Sequence, residues 1–169
     1  MDGQARRLIL MRHAKSAWDA GAPDDHSRPL NGRGRRDAPR MGEVLRTRGW
    51  VPELVLCSDA TRTRETWARM RDALVADQPV EVRLMRELYH AGPLTVRAAM
   101  TSIPDTVRSA LILWHNPGVE DTVAWATGLS HRVTTGNAAL LEGPEGAGWR
   151  LPAGAWRLVD LVRPRDLQV

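Results

Sequence analysis

The stretch Leu8-Ile9-Leu10-Met11-Arg12-His13 decides how this chain of 169 residues is interpreted. Its apolar run contains the β-branched Ile9 and predicts a buried strand over residues 6–11. The run breaks at Arg12-His13, so an arginine and a histidine directly follow the carboxyl end of the strand. Ligands bind at the carboxyl ends of strands in open α/β sheets, and the pair therefore predicts a binding site.

A second apolar run ends in polar residues in the same way. Residues 54–57 predict a strand, and Ser58 after it is expected to cap a helix over residues 60–74. That helix carries Arg62 and Thr66 in its first turns. These side chains are expected to face the same edge of the sheet as the Arg-His pair of the first strand.

A third run, residues 110–114, predicts a fully apolar strand that ends at His115-Asn116-Pro117-Gly118. The three strand ends together supply two arginines and two histidines, with few acidic residues nearby. Such a set suits a small multivalent anion, because the guanidinium fork matches phosphate oxygens bidentately. We therefore expect one pocket that binds phosphate or another small anion.

The rest of the chain alternates between strand and helix patterns. The sequence predicts a loop over residues 14–30, helices over 32–48, 94–102 and 119–126, a strand over 80–84, a hairpin of 138–142 with 149–151, and a last strand over 156–162. Pro39 is expected to kink the first helix or delay its start. This alternation predicts an α/β fold, a three-layer α/β/α sandwich with a mainly parallel central sheet. Without a linker or a repeat, we expect a single domain over residues 1–169, with a loose polar tail from about 163.

The composition is typical of a globular protein and excludes a disordered chain, with 43% hydrophobic and 26% charged residues. No apolar run approaches the roughly 20 residues that span a bilayer, so no membrane partner is expected. Cys57 is the only cysteine, which excludes an intrachain disulfide and cysteine-rich metal clusters. With no secretory signal pattern, the cytoplasm is the expected location. The seven tryptophans, in a chain without phenylalanine, are expected to fill core positions.

The net charge of +4 and the pI near 10.4 raise the question of nucleic-acid binding. Only Lys15 among the 24 basic residues is a lysine, and the arginines are interleaved with 20 acidic residues along the chain. This mixture favours a solvated surface, and we expect no nucleic-acid partner. The opposing hypothesis predicts a strongly salt-dependent affinity for DNA or RNA.

Four segments resemble the histidine phosphatase superfamily, which has a phosphoglycerate mutase-like fold. Residues 8–16 are similar to its apolar strand ending in Arg-His, residues 57–66 to its Ser-Pro-x-x-Arg-x-x-Gln-Thr segment, and residues 113–118 to its Gly-His-Asn-Pro-Gly segment. Residues 28–31 with Gly34 resemble the Arg-Pro-Leu-Thr/Asn…Gly stretch of the short SixA branch, the phosphohistidine phosphatases. The small size of the chain also fits that branch.

The chain departs from the family pattern at four positions. Ala14 replaces the glycine after the first histidine, Asp59 replaces proline, and Glu65 replaces glutamine. Trp114 replaces the glycine before the second histidine, and it is expected to shape the wall of the pocket. None of these changes removes a residue that the core chemistry needs.

The resemblance implies His13 as the nucleophile, Arg12 and Arg62 as phosphate clamps, and His115 as a second, protonated phosphate ligand. The implied reaction is hydrolysis of protein phosphohistidine or a small phosphate ester through a phosphohistidine intermediate. It requires no metal and no cofactor, because the arginines supply the positive charge.

Three further residues are candidates for substrate binding: Ser16, Lys15 and Asn116. Ser16 could donate a hydrogen bond to phosphate from the loop after the nucleophile, whereas Lys15 could equally lie on the surface. Asn116 occupies the position where the phytase branch has its acidic proton donor, so that solution is absent here.

The general acid is the open question of the site. The resemblance to the mutase branch implies Glu87, in the loop after the third strand, although Glu87 could instead cap a helix or pair with Arg86. Tyr89 or His90 could serve in its place. Two other functions stay open: a phosphomutase, disfavoured by the short chain, and a non-catalytic module that binds phosphorylated ligands, disfavoured by the intact arginines and histidines.

Overall fold

A six-stranded sheet forms the centre of the computed structural model, which describes residues 3–167. Its strands are β1 (Arg7–Arg12), β2 (Leu54–Ser58), β3 (Glu81–Met85), β4 (Ser109–Trp114), β5 (Ala138–Glu142) and β6 (Arg157–Val162). The strand order is β3-β2-β4-β1-β5-β6. The first four strands in this order are parallel, whereas β5 and β6 are antiparallel additions at one side. The prediction of a mainly parallel central sheet is confirmed.

Four helices cover the two faces of the sheet. They are α1 (Gly32–Thr47), α2 (Thr61–Val75), α3 (Pro93–Thr101) and α4 (Gly118–Thr127), and 3-10 turns occupy Arg86–Leu88 and Pro164–Asp166. None of the helices within residues 3–167 is both long and apolar enough to cross a membrane.

Side-chain alternation along β1 explains the three layers. Leu8 and Leu10 belong to the core that includes residues of α3 and α4, whereas Ile9 and Met11 belong to the core that includes residues of α1 and α2. Successive side chains of a strand point to opposite faces, so a strand covered on both sides must be apolar throughout. The uninterrupted apolar run of β1 is therefore the signature of a sandwich with helices on both faces of its sheet.

The predicted hairpin between residues 138–142 and 149–151 is wrong. β5 pairs with β6 instead, and residues 149–151 form no strand. Trp149 is buried beside Trp156, with ring centroids 5.9 Å apart, and its indole N–H donates to the carbonyl oxygen of Val107 over 2.9 Å. The apolar residues of this segment anchor a loop in the core rather than extend the sheet.

Two expected helix boundaries also differ from the structure. Ser58 ends β2 and does not cap α2, whose first residue is Thr61 and whose N-cap position is held by Ala60. Helix α1 begins at Gly32, and the Asn31 side chain accepts a hydrogen bond from Gly34 N over 2.9 Å. The proline inside α1 therefore does not delay its start.

The C-terminal tail is packed over the part that the structure describes. Pro164 is buried, and Leu167 packs against the core between the sheet and α1 and α2. The expectation of a loose tail from about 163 is thus wrong for residues 163–167, and residues 168–169 lie outside the described chain.

Gly34 allows the first turn of α1 to approach the loop that follows β1. A Cβ atom at this position would lie 2.1 Å from the carbonyl oxygen of Lys15. The same oxygen accepts a hydrogen bond from Asn31 N over 3.0 Å, so it is held in place. The missing side chain at Gly34 is what lets helix and loop meet.

We expect Gly34→Ala to lower the free energy of unfolding by about 1–3 kcal/mol, the usual cost of forcing a methyl group into a packed site. Gly32→Ala is the matched control in the same helical turn, because its Cβ would meet only Arg36 Nη1 at 3.5 Å. Urea denaturation of the three proteins measures the difference. Equal stability of the two variants would contradict this close approach.

Candidate active site

A cleft lies at the carboxyl ends of the parallel strands. It is lined by Arg12, His13, Lys15, Ser16, Trp18, Asp25, Arg28, Arg62, His90, His115, Asn116 and Thr135. Seven of the eight residues singled out from the sequence lie on this cleft; Glu87 does not. The three strand ends converge because β2, β4 and β1 are neighbours in one parallel sheet.

The ring of His13 is held in one tautomer. Its Nδ1 lies 2.7 Å from the carbonyl oxygen of Ala14, and a carbonyl can only accept a hydrogen bond. Nδ1 must therefore carry the proton, which leaves a lone pair on Nε2. The Nε–H of Arg62 points at this atom and donates to it over 3.3 Å.

Burial keeps the His13 ring neutral. Only 5% of the residue is exposed, and this burial lowers the pKa of His13 to about 3, with the positive charges of Arg62 and Arg12 acting in the same direction. The hydrogen bond to Ala14 opposes the shift but is the smaller effect. His13 is consequently an unprotonated imidazole at neutral pH, which is the form that can act as a nucleophile.

Arg62 is buried and uses all its guanidinium nitrogens. Besides the bond from Nε to His13, Nη1 donates to the backbone oxygen of Asp25 over 2.7 Å and Nη2 donates to Asp25 Oδ2 over 3.0 Å.

Arg12 donates from Nη1 to the Val133 carbonyl oxygen over 3.3 Å, and its Nε is buried without a partner within the described residues. Arg12 therefore has an unused donor.

His115 lies beside His13, with ring centroids 5.3 Å apart. Its Nε2 is 2.8 Å from Ser58 Oγ, and its Nδ1 is buried with no partner in residues 3–167. Burial, followed by the proximity of His13 and Arg62, lowers the pKa of His115 to about 2. Burial thus favours a neutral His115 in the free site. The protonated His115 expected from the sequence concerns the site with phosphate bound, and it stays a prediction.

Two of the three predicted substrate-binding residues are engaged with other parts of the protein. Ser16 Oγ accepts a hydrogen bond from Arg28 Nη1 over 2.8 Å. Asn116 Nδ2 donates to the carbonyl oxygen of Val133 over 2.7 Å, which joins β4 to the segment before β5. Lys15 lines the cleft.

Glu87 is exposed on the 3-10 turn after β3, and it lies outside the lining of the cleft. The turn places the next residue, Leu88, fully in the core, so that Glu87 is left on the solvent side. Tyr89 and His90 follow, and these two approach the site: the Tyr89 hydroxyl donates to Asp25 and His90 lines the cleft. This position does not favour Glu87 as the general acid, and that assignment stays a prediction.

Trp114 does not form the wall of the cleft as expected. It is fully buried in the core that includes residues of α3 and α4, and its indole N–H donates to the carbonyl oxygen of Ala91 over 3.1 Å. Strand alternation accounts for this position, because the next residue, His115, is the one that reaches the cleft.

Sequence reasoning missed several cleft residues, among them Asp25, Arg28 and Trp18. Arg28 was part of the family-like Arg-Pro-Leu-Asn stretch, which was the available signal for it. Trp18 is 76% exposed and lies under the guanidinium of Arg28, 3.8 Å from the ring centroid, so it does not fill the core as expected.

Asp25 is the carboxylate of the cleft. Its Oδ1 accepts from Arg28 Nε over 3.1 Å, and its Oδ2 accepts from Arg62 Nη2 and the Tyr89 hydroxyl. The Tyr89 hydrogen bond, with Arg28 and Arg62, holds the pKa of Asp25 well below its usual range despite some burial. Asp25 is therefore ionised and cannot donate a proton at neutral pH.

No group of three or more histidine, cysteine, aspartate or glutamate side chains within residues 3–167 is arranged to hold a metal ion. The charged groups that line the cleft are three guanidiniums, the ammonium of Lys15 and one carboxylate, and imidazoles lie among them. This donor set is suited to an anion with several oxygen atoms.

The chain belongs to the histidine phosphatase superfamily (branch 1), whose family model matches residues 8–116. Its folded structure resembles the SixA branch of that superfamily.

Three comparisons illustrate the similarity. An uncharacterized chloroplastic protein of Arabidopsis thaliana is 35% identical over 95% of this chain and 78% of its own length. A structure assigned as the phosphohistidine phosphatase SixA of Nakamurella multipartitia has a TM-score of 0.82 at 27% identity, covering 97% of this chain and 99% of its own. The protein histidine phosphatase SixA complexed with tungstate has a TM-score of 0.81 at 25% identity, with 96% and 99% covered.

The two neutral imidazoles make the fold sensitive to acid. Both imidazoles have a pKa in the folded protein that lies below the ordinary value of about 6.5, so the unfolded chain binds their protons first as the pH falls. Their contribution to stability is therefore complete above about pH 6.5 and decreases below it. We expect a loss of roughly 2 kcal/mol for each imidazole between pH 7 and pH 5, before most carboxylates titrate.

Urea denaturation at several pH values, in buffers without phosphate, measures this dependence. His13→Asn removes one of the two groups, and we expect that variant to lose about half as much stability over the same interval. The same acid-induced loss in the variant and the parent would show that His13 is not held neutral by the fold.

Proposed function

We propose that this chain is a metal-independent phosphatase that acts through a phosphohistidine intermediate on His13. The observation that carries the proposal is the orientation of the His13 ring, in which Nδ1–H donates to the Ala14 carbonyl oxygen and the Nε2 lone pair accepts from Arg62. A neutral imidazole fixed in this way among arginines is suited to attack an electron-poor phosphorus atom. The proposed substrate is a phosphohistidine protein or a small phosphate ester.

Binding of the phosphoryl group would rely on charge. Arg12, Arg28 and Arg62 line the cleft, and Arg12 has a free Nε–H donor. His115 would contact one equatorial oxygen, and the approaching dianion would raise its pKa from the low value of the free site. Ser16 would act through Arg28, which it already orients, and Lys15 and Asn116 would line the entrance.

In the first step, the Arg62 Nε–H would turn from Nε2 of His13 to a phosphate oxygen. The freed lone pair of Nε2 would form a bond to phosphorus as the bond to the leaving group breaks. The leaving group departs with that bonding electron pair. The imidazole ring becomes positively charged, and the Ala14 carbonyl oxygen stabilises this charge through the Nδ1–H bond. The guanidiniums balance the charge on the equatorial oxygens, which is the main requirement of phosphoryl transfer.

In the second step, water would attack the same phosphorus atom. The P–Nε2 bond breaks, its electron pair returns to Nε2, and the proton lost by water leaves with phosphate or solvent. Inorganic phosphate is released and His13 regains its starting tautomer. Positive charge from arginine takes the part that a metal ion plays in other phosphoryl-transfer sites.

The leaving group decides which substrate fits best. Asp25 is ionised and Glu87 lies outside the cleft, so neither is placed to protonate an alkoxide. The Tyr89 hydroxyl donates its proton to Asp25, which leaves His90, on the cleft lining, as the remaining candidate acid. The imidazole of phosphohistidine can already carry a proton near neutral pH, so it can depart without an acid in the enzyme. This favours protein phosphohistidine over alkyl phosphates, and it agrees with the similarity to SixA. The cytoplasm is the compartment we propose.

Turnover of an aryl phosphate and of a phosphohistidine protein in excess EDTA tests the proposal. We expect both substrates to be hydrolysed with the chelator present, and an alkyl phosphate much more slowly. His13→Ala should remove turnover by several orders of magnitude, the usual cost of losing a covalent nucleophile. His131→Ala is the matched control, because His131 does not line the cleft.

Two outcomes would contradict the mechanism. Near-normal turnover by His13→Ala would mean that the nucleophile is another group. Loss of activity with EDTA, restored by a divalent cation, would mean that a metal supplies the charge assigned here to the arginines.

A further inference from the structure

The Asp25 carboxylate already occupies a position that an anionic substrate would need. It accepts a hydrogen bond from Nη2 of Arg62 over 3.0 Å, and the backbone oxygen of Asp25 accepts one from Nη1 over 2.7 Å. The third nitrogen of Arg62, Nε, donates to Nε2 of His13, which leaves one further N–H on each of Nη1 and Nη2. An incoming phosphate can therefore use the N–H donors that face Asp25 and His13 only if these bonds are exchanged.

The same carboxylate also binds Arg28, a second arginine that lines the cleft. Asp25 Oδ1 accepts from Nε of Arg28 over 3.1 Å, and Asp25 Oδ2 accepts in addition from the Tyr89 hydroxyl. One ionised side chain is thus shared between two guanidiniums and compensates part of their charge. A phosphate dianion beside it would meet repulsion as well as competition for donors.

The exposed fractions of the Arg62 and Asp25 side chains indicate which of the two moves when phosphate binds. The side chain of Arg62 is 5% exposed, whereas that of Asp25 is 43% exposed. Arg62 is fixed on α2 behind the cleft, but the aspartate can turn into water without burying its charge. Exchange of the carboxylate for phosphate therefore costs little rearrangement of the buried part of the site.

We propose that Asp25 is an internal competitor of phosphate for Arg62 and Arg28, which weakens phosphate binding and speeds its release. The inference rests on the proposed function in that phosphate is the product of the reaction. Asp25 acts through the two arginines and is a positioning residue, whereas the arginines touch the substrate. Its negative charge, not its shape, is the property that the proposal requires.

The test is the dissociation constant of inorganic phosphate, measured by calorimetry on the full chain. Asp25→Asn keeps the size of the side chain and an acceptor oxygen for Arg62, but removes the charge. We expect phosphate to bind about tenfold more tightly, equivalent to about 1.4 kcal/mol. Asp24→Asn is the matched control, because Asp24 bonds Ser27 and no arginine of the cleft, and its affinity should equal that of the parent.

Kinetics separate competition from a structural role. Inhibition by phosphate should strengthen in Asp25→Asn by the same factor as binding, and KM should fall, whereas a structural loss would raise KM and weaken inhibition. Unchanged or weaker phosphate binding in Asp25→Asn would overturn the proposal. If that variant does not fold, Tyr89→Phe decides, because it removes the hydrogen bond that holds Asp25 Oδ2 beside the arginines. Tighter phosphate binding by Tyr89→Phe supports the competition, and unchanged or weaker binding overturns it.

Phosphate binding distinguishes failure of the Asp25 competition from failure of the proposed phosphatase activity. Phosphate binding by the parent with no effect of Asp25→Asn overturns the competition and leaves the proposed phosphatase intact. No phosphate binding by the parent or by either aspartate variant overturns both.

Discussion

The hydrogen bond from Nδ1 of His13 to the carbonyl oxygen of Ala14 is the interaction on which the rest of the site depends. It selects the tautomer, and the tautomer determines which nitrogen faces the cleft. The peptide of Ala14 is itself held, since its N–H donates to Thr66 Oγ1 of α2 over 3.1 Å. His13 N donates to the Trp114 carbonyl oxygen over 3.1 Å, and this second bond ties the loop to β4. The sheet and α2 together thus fix one lone pair in space.

Around this fixed imidazole, most of the positive charge of the site is carried by arginines, with Lys15 also on the cleft. Burial holds His13 and His115 neutral, so most of the charge that an anion meets beside them comes from guanidiniums, which stay protonated at any physiological pH. The clustering of like charges is relieved in the free protein by Asp25, which bonds Arg62 and Arg28. Asp25 offsets only part of the positive charge of the free cleft, and an anion must take over the bonds of that carboxylate.

Much of the central sheet and most of the cleft were predictable from sequence, for a physical reason. Parallel strands covered on both faces are apolar throughout, so polar residues after such runs mark their carboxyl ends, and these meet at one edge. His13, His115 and Arg62 could be placed together on that basis. The superfamily and the α/β sandwich were confirmed, whereas the catalytic roles of these residues stay predictions.

The features that could not be predicted depend on tertiary contacts, which leave no local pattern in the sequence. Asp25 and Trp18 reach the cleft from a loop whose course is set by the Ser16–Leu30 bridge and by Arg28. Glu87 was assigned by analogy, but one turn of 3-10 helix placed Leu88 in the core and the carboxylate in solvent. The mistaken hairpin at 149–151 arose because an apolar loop anchored by tryptophan has the same composition as a short strand.

The site of phosphorylation on the enzyme tests the central claim most directly. The protein would be mixed with a phosphohistidine protein or an aryl phosphate, quenched in base, digested and analysed by NMR of the labelled peptide. The account predicts phosphate on Nε2 of His13, the nitrogen left free by the Ala14 carbonyl. Phosphate on Nδ1 of His13, or on any other side chain, would contradict it.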